Sequence, residues 1–149
     1  MSDLALKRRP DGTFDLDYDS ETRDLVLTES LEVSVIISIG SDAREKVIGT
    51  LSLTPLNNGW WGDAVGDDFQ LGGYVYRALQ GKLAPATLVD LKQYVKDALK
   101  WMVDDGVASD VDVDVSIDEQ VAVVLVTIAK PSAEPENYRF ELPWKETLE

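Results

Sequence analysis

The stretch Asp110-Val111-Asp112-Val113-Asp114-Val115-Ser116-Ile117-Asp118, followed by Val121-Ala122-Val123-Val124-Leu125-Val126-Thr127-Ile128, decides the fold class. In its first half apolar and polar residues alternate, the period of a strand with one face on a core and one in water. Asp118-Glu119 gives a turn, and Val121 to Ile128 reads as a long apolar strand. Lys130-Pro131 to Pro135 makes a wider connection. Tyr138, Phe140 and Leu142 then alternate through a third strand up to Pro143-Trp144. The last third of the chain is therefore expected to be an antiparallel meander of about three strands.

Working back from this sheet, the pattern changes to a helical period. Thr87-Leu88-Val89-Asp90 resembles a capping box with Asp in place of Glu or Gln. Leu88, Leu91, Val95, Ala98, Leu99 and Met102 line one face, and Gly106 ends the helix. Asp104-Asp105 just before that glycine face the negative end of the helix dipole. Leu71, Tyr74, Val75, Ala78 and Leu79 follow the rhythm of a shorter helix, with Gly72-Gly73 weakening its start and Gly81 as its stop. Leu31 to Ile39 is ambiguous. Leu31, Val33, Val35, Ile37 and Ile39 alternate as in a strand, whereas Ser30 and Gly40 are natural helix caps; pattern alone leans slightly to strand. Thr13 to Thr28 reads as extended, with Phe14, Leu16 and Tyr18 between aspartates, a turn at Asp19-Ser20 and a short strand at Leu25-Val26-Leu27. The expectation is a compact α+β domain over residues 1–149, with central helices and a C-terminal sheet. Residues 1–12 are expected to be flexible or ordered by a partner.

Composition narrows the chemistry. The chain has neither cysteine nor histidine, which removes disulfides, thiol nucleophiles, imidazole bases and His- or Cys-bound metals. Twenty-eight acidic residues against 14 basic ones leave a net charge of -14, which a phosphate backbone repels. Direct nucleic-acid binding is not expected, since the one basic cluster, Lys7-Arg8-Arg9, reads as a solvated terminal segment. No apolar run has the length of a membrane span, and the start lacks the apolar region of a signal peptide. A chain made and kept in the cytoplasm during assembly is expected.

The most conspicuous motif is Trp60-Trp61-Gly62-Asp63, set between Asn57-Asn58-Gly59 and Ala64-Val65-Gly66-Asp67-Asp68. Half of the four tryptophans stand in one turn-like segment. Tryptophan supplies large contact area and dominates interface hot spots, so the pair either plugs the core or docks onto something else. The expectation is a division of labour, one indole inward and the other facing a partner. Trp101 at the helix end and Trp144 after the last strand could extend the same apolar region. Asp63 with Asp67 or Asp68 beside aromatic platforms also fits a carboxylate-based glycoside hydrolase, although nothing in the spacing sets their separation. Asp110, Asp112 and Asp114 invite a calcium reading. An EF-hand loop, however, needs Gly and Glu where this chain has Val115 and Val121. A solvated sheet face is the plainer explanation, and a basic partner docking there the better of the rest.

Together, Trp60-Trp61-Gly62-Asp63, the short helix ending near Arg77, Ala98-Leu99-Lys100-Trp101-Met102-Val103-Asp104-Asp105-Gly106, the strand from Val121 to Pro131 and Tyr138-Arg139-Phe140-Glu141-Leu142-Pro143-Trp144 resemble the Mu-like phage baseplate wedge proteins, a branch of the sheath-initiator family of contractile tails. The resemblance covers nearly the whole chain. It implies a non-enzymatic structural protein of the virion tail baseplate, without cofactor, present in several copies. Its implied partners are other baseplate wedge, hub, tube and sheath proteins. It also implies that Leu31 to Ile39 is helical, and that a sheet edge over Asn137 to Leu142 receives a partner strand. The interface residues expected on this footing are Trp60, Trp61, Asp63, Arg77, Trp101, Asp104, Asp105, Tyr138, Arg139 and Phe140. One departure stands out. The wider family carries a Glu-Pro-Arg motif after its long helix, where this chain has Asp104-Asp105-Gly106. Two alternatives to the baseplate reading remain: a carboxylate-based glycoside hydrolase of the tail using Asp63 and Asp67 or Asp68, and a free-standing acidic protein-binding module.

Overall fold

The computed structural model describes residues 2–44, 59–65 and 70–144, and the chain falls into two units, residues 1–36 and 37–149.

The larger unit is organised by the predicted meander. Strands β7 (Asp110–Asp118), β8 (Val121–Ala129) and β9 (Glu136–Pro143) form an antiparallel sheet in the order β7-β8-β9. Register follows from alternation: Val113 pairs with Val126, and Val124 with Phe140. Residues directly opposite share a face, so Val111, Val113 and Val115 stand with Val124, Val126 and Ile128 and with Tyr138 and Phe140. On this face Val113, Val124, Val126 and Ile128 are fully enclosed. A one-residue slip would turn every one of these side chains to the other face, which is why the register is so firmly specified.

Helix α3 (Pro85–Asp104) packs along β7 and buries Leu91, Val95, Ala98, Leu99 and Met102, the stripe read from the sequence. Its start differs from the expected capping box. Pro85 holds the first helical position, where its fixed φ suits the helix and its missing N–H is no loss. Thr87 lies inside the helix instead, and its hydroxyl donates to the Lys82 carbonyl at 2.7 Å. At the other end Gly106 adopts φ +74°, the left-handed exit that glycine takes most easily. Lys100 pairs with Asp104 one turn away, which relieves part of the charge at that terminus. Helix α2 (Val75–Leu79) packs against α3, burying Val75 and Ala78.

The ambiguous run is helix α1 (Glu32–Gly40), with the Val35 N–H bonded to the Leu31 carbonyl at 2.9 Å. The strand-like alternation misleads at one position: Ile37 is 42% exposed, whereas Val35, Ser38 and Ile39 are buried at helical spacing. The Ser30 hydroxyl sits 3.4 Å from the Glu32 N–H at the helix start, as a capping serine should.

The smaller unit carries six short strands in three antiparallel pairs. Strands β1 (Asp3–Leu4) and β6 (Leu27–Thr28) form one arm, β2 (Leu6–Arg8) and β3 (Phe14–Leu16) a second, and β4 (Tyr18–Asp19) and β5 (Asp24–Leu25) a third. The arms meet in a closed ring of backbone hydrogen bonds. Ala5 N–H donates to Val26, Asp17 N–H to Ala5, and Val26 N–H to Asp17, at 2.8, 2.9 and 3.0 Å. The tips are tied by local chemistry. Asp19 accepts the Glu21 N–H at 2.8 Å, and that bond, followed by Thr22, holds its carboxyl below the usual carboxylate range. Asp15 is lowered likewise, chiefly by its pairing with Arg9. Lys7 and Arg8, read as part of a terminal segment, belong to β2 and are exposed.

Candidate functional site

Glycines bring the tryptophan segment to its anchor. Gly59 has φ +65°, and a Cβ there would fall 2.6 Å from the Arg44 nitrogen, so only glycine brings the chain this close. Beyond the loop, Gln70 Nε2 and the Tyr74 hydroxyl both donate to the Arg44 carbonyl, at 2.9 and 3.3 Å. Gly72, at φ +89°, passes so near Ser41 that a Cβ would meet its carbonyl oxygen at 2.2 Å. Gly73 then exchanges backbone bonds with Ser41 and Ala43 at 3.0 and 2.9 Å and lies against Ala98 of α3. Both ends of the loop are thus pinned to the segment 41–44.

Between these ends, Trp61–Ala64 forms a single 3-10 turn. Asp63 closes it from inside: its Oδ1 accepts the Leu71 N–H at 3.0 Å. The other carboxylate oxygen is buried and has no hydrogen-bond partner among the described residues. Gly62 leaves room for the Trp60 ring, since a Cβ would come within 2.1 Å of it. The two indoles touch at 5.3 Å between centroids, tilted by 50°. Neither indole is turned inward as expected of one of them: Trp60 is 42% exposed and Trp61 74%, so the pair differs only in degree. Val65 beside them is exposed as well. Ser41, Asp42, Gly59, Trp60 and Leu71 line a shallow recess next to the pair. A braced turn that holds its largest apolar group in water suits docking better than catalysis. Asp67 and Asp68, the other acids of the hydrolase reading, lie outside the described residues.

The remaining site candidates are spread over several elements. Trp101 is half-buried, with its indole N–H donated to Ser38 Oγ at 2.9 Å. Trp144 is buried and donates its indole N–H to the Gly81 carbonyl at 2.7 Å, so it belongs to the core rather than to an exposed apolar region. Asp104 and Asp105 are exposed at the end of α3, where Asp105 is the C-cap. On α2 the Arg77 guanidinium stands 4.3 Å above the Tyr74 ring, a cation–π contact. Strand β9 divides its triplet between two faces. Tyr138 and Phe140 stack at 6.5 Å, whereas Arg139 points the other way and pairs with Glu141 at 2.7 Å. Asp110, Asp112 and Asp114 of β7 stand exposed on that same opposite face, with Lys96 Nζ 3.9 Å from Asp112. Among the described residues no group of three carboxylates converges as a metal site would require.

Sequence reasoning missed the glycine braces and the exposed apolar groups of residues 2–28. Asn57-Asn58-Gly59 was a visible turn signal for the first brace; alternation in β3 and β4 marked strands without saying which face stays open.

Residues 31–135 match the family described as Phage protein GP46. The chain belongs to this family. A Haemophilus influenzae relative, Mu-like prophage FluMu protein gp46, is 36% identical over 146 residues, covering 97% of this chain and 98% of the relative. The protein of Escherichia phage Mu named baseplate protein gp46 is 31% identical over 114 residues, 76% of either chain. The Mu-like resemblance carried by the tryptophan motif and its downstream partners is thereby borne out. Within this GP46-family chain the matched region takes in α1, the tryptophan loop, α2, α3, β7 and β8.

Proposed function

We propose that this chain is a structural, non-enzymatic component of a phage tail baseplate, with the tryptophan loop as one of its contact surfaces. The observation that carries the reading is Trp61, 74% exposed on a turn braced at both ends, in a chain similar over 76% of its length to a protein named as a baseplate component. Association would bury this indole and the neighbouring Val65, the kind of anchor that dominates binding energy. The acidic balance of -14 suits contact with basic partner faces and keeps the unassembled subunit soluble.

In finer detail, the chain joins wedge components to the hub or tube, in several copies per particle, and helps the first sheath ring to attach. Strand β9 supports that part, because it is an edge of the three-stranded sheet and has main-chain groups to offer an added strand. Electron microscopy of purified particles tests both levels at once. Density for this chain at the baseplate is the expected result, and particles that lack it would sink the reading. The hydrolase alternative loses ground at Asp63, one of whose carboxylate oxygens accepts the Leu71 N–H while the other is buried away from solvent.

A further inference from the structure

We infer that the open face of the three-stranded sheet receives an extended, basic segment of a partner protein, with lysine or arginine at alternate positions. Register builds this face. Opposite residues share a side, so Asp112, Thr127 and Asn137 stand together, as do Asp114, Leu125 and Arg139, and Ser116, Val123 and Glu141. Each strand thereby lays one row on the face. The β7 row is acidic, with Asp110, Asp112, Asp114 and Asp118, all exposed. The β8 row is mostly apolar, with Val121, Val123, Leu125 and Ala129. Leu125 is 43% exposed in the middle of it. The other face of the sheet is packed, with Val113, Val124, Val126 and Ile128 enclosed, whereas this one keeps Leu125 and the aspartates in water.

The charges that select the occupant lie on the face itself. Asp110, Asp114 and Asp118, with Glu119 in the turn that follows, have no ion-pair partner among the described residues. Two cations come near. Lys96 of α3 stands 3.9 Å from Asp112, and Arg139 is held by Glu141 at 2.7 Å within β9. The face thus carries five carboxylates against one guanidinium. Geometry narrows the partner further. The acidic and apolar rows lie one strand spacing apart, about 4.8 Å, and aspartates two residues apart are separated by roughly 7 Å. Lysine and arginine combine an apolar stem, which rests on apolar surface, with a charged end that reaches beyond it. Stems laid across Val121 and Leu125 bring their charged ends to β7, and alternate residues of an extended chain repeat at the same interval as the aspartates. At one end of the face, Val121, Val123, Asp118, Glu119 and Glu141 line a recess of about 290 Å³, which offers one such side chain both environments. One metal ion cannot bridge carboxylates at roughly 7 Å, since calcium ligands lie at about 2.3–2.6 Å. A second copy would bring the same aspartates, and nucleic acid its phosphates, so both are repelled.

The baseplate reading supplies a source for the partner, and the face is tested with and without it. The isotope-labelled full-length chain is titrated with a heptapeptide of alternating lysine and threonine. Amides from Asp112 to Asp118 and from Val121 to Leu125 should shift together in its NMR spectrum. Asp112→Asn with Asp114→Asn should weaken binding about tenfold, whereas Asp3→Asn with Glu29→Gln, which removes the same charge from other exposed positions, should change it less than about twofold. No shift at the face, or equal weakening by both pairs, overturns the inference. Leu125→Asn should weaken binding several-fold, and unchanged affinity would overturn the stem contact. Purified particles give the second readout. Carbodiimide coupling of glycine ethyl ester to Asp112, Asp114 and Asp118 should fall several-fold from its level in the free chain. Unchanged coupling in particles that contain the chain overturns the inference and leaves the baseplate reading standing. Absence of the chain from particles removes the baseplate reading, and the titration still decides the face. Carbodiimide cross-links from these aspartates to lysines of a second copy overturn the choice of partner.

Discussion

Two pairs of tryptophans in this molecule face opposite demands. Trp101 and Trp144 each direct the indole N–H to a fixed acceptor, Ser38 Oγ and the Gly81 carbonyl, and Trp144 is almost fully enclosed. Trp60 and Trp61 lean on each other in a turn held by Asp63 and by glycines at 59 and 72, and Trp61 stays in water. The contrast separates holding the chain together from presenting a surface. The residue type is the same in both places, so the difference lies in whether the polar end of the ring and its apolar body are both satisfied within the chain.

The comparison is broken most severely at Trp144. Trp144→Ala removes a buried ring and its hydrogen bond and should cost about 3–5 kcal/mol of unfolding free energy, read by denaturant titration. If the loss is below a fifth of that, the indole is not part of the core. Gly72→Ala attacks the brace of the other pair. A Cβ at φ +89° against the Ser41 carbonyl should cost about 1–3 kcal/mol and change the fluorescence of the exposed indoles. An unchanged spectrum would detach the brace from the pair it is argued to hold. Trp101→Phe keeps one aromatic ring but loses the rest of the indole and its bond to Ser38, for an expected loss of about 1–2 kcal/mol; no loss would make that bond incidental. Trp61→Ala should change stability least, within about 0.5 kcal/mol, while lowering incorporation into particles by about tenfold. A stability loss as large as that at Trp144 would erase the distinction between the pairs.

Much of the larger unit was legible because its elements have one dominant period. Val111 to Ile117 alternate over enough residues to specify strand, register and buried face, and the stripe from Leu91 to Met102 does the same for α3. Helix α1 is short and rich in β-branched residues, so its alternation counted as strand while tertiary burial at Val35, Ser38 and Ile39 made it helix. The start of α3 was misread because Thr87-Leu88-Val89-Asp90 imitates a capping box two residues after the position where Pro85 already starts the helix. Of the candidate site, the motif Trp60-Trp61-Gly62-Asp63 could be read directly, but the partners that hold it could not. Ser41 and Arg44 lie far back in the sequence, and no local pattern links an aspartate to the Leu71 amide eight residues on. On β9, Tyr138, Arg139 and Phe140 were named together on the footing of the resemblance, whereas a strand sends neighbours such as Arg139 and Phe140 to opposite sides.

The ring formed by Ala5, Asp17 and Val26 has a consequence for how this part of the chain can be altered. All three bonds use main-chain groups alone, so the junction makes no demand on the length of the two hairpins that end at Pro10 and Ser20. A peptide spliced between Pro10 and Asp11 would lengthen one arm and leave the closure intact. The tips are therefore sites where a short tag or fluorophore can be carried while the junction keeps its arrangement.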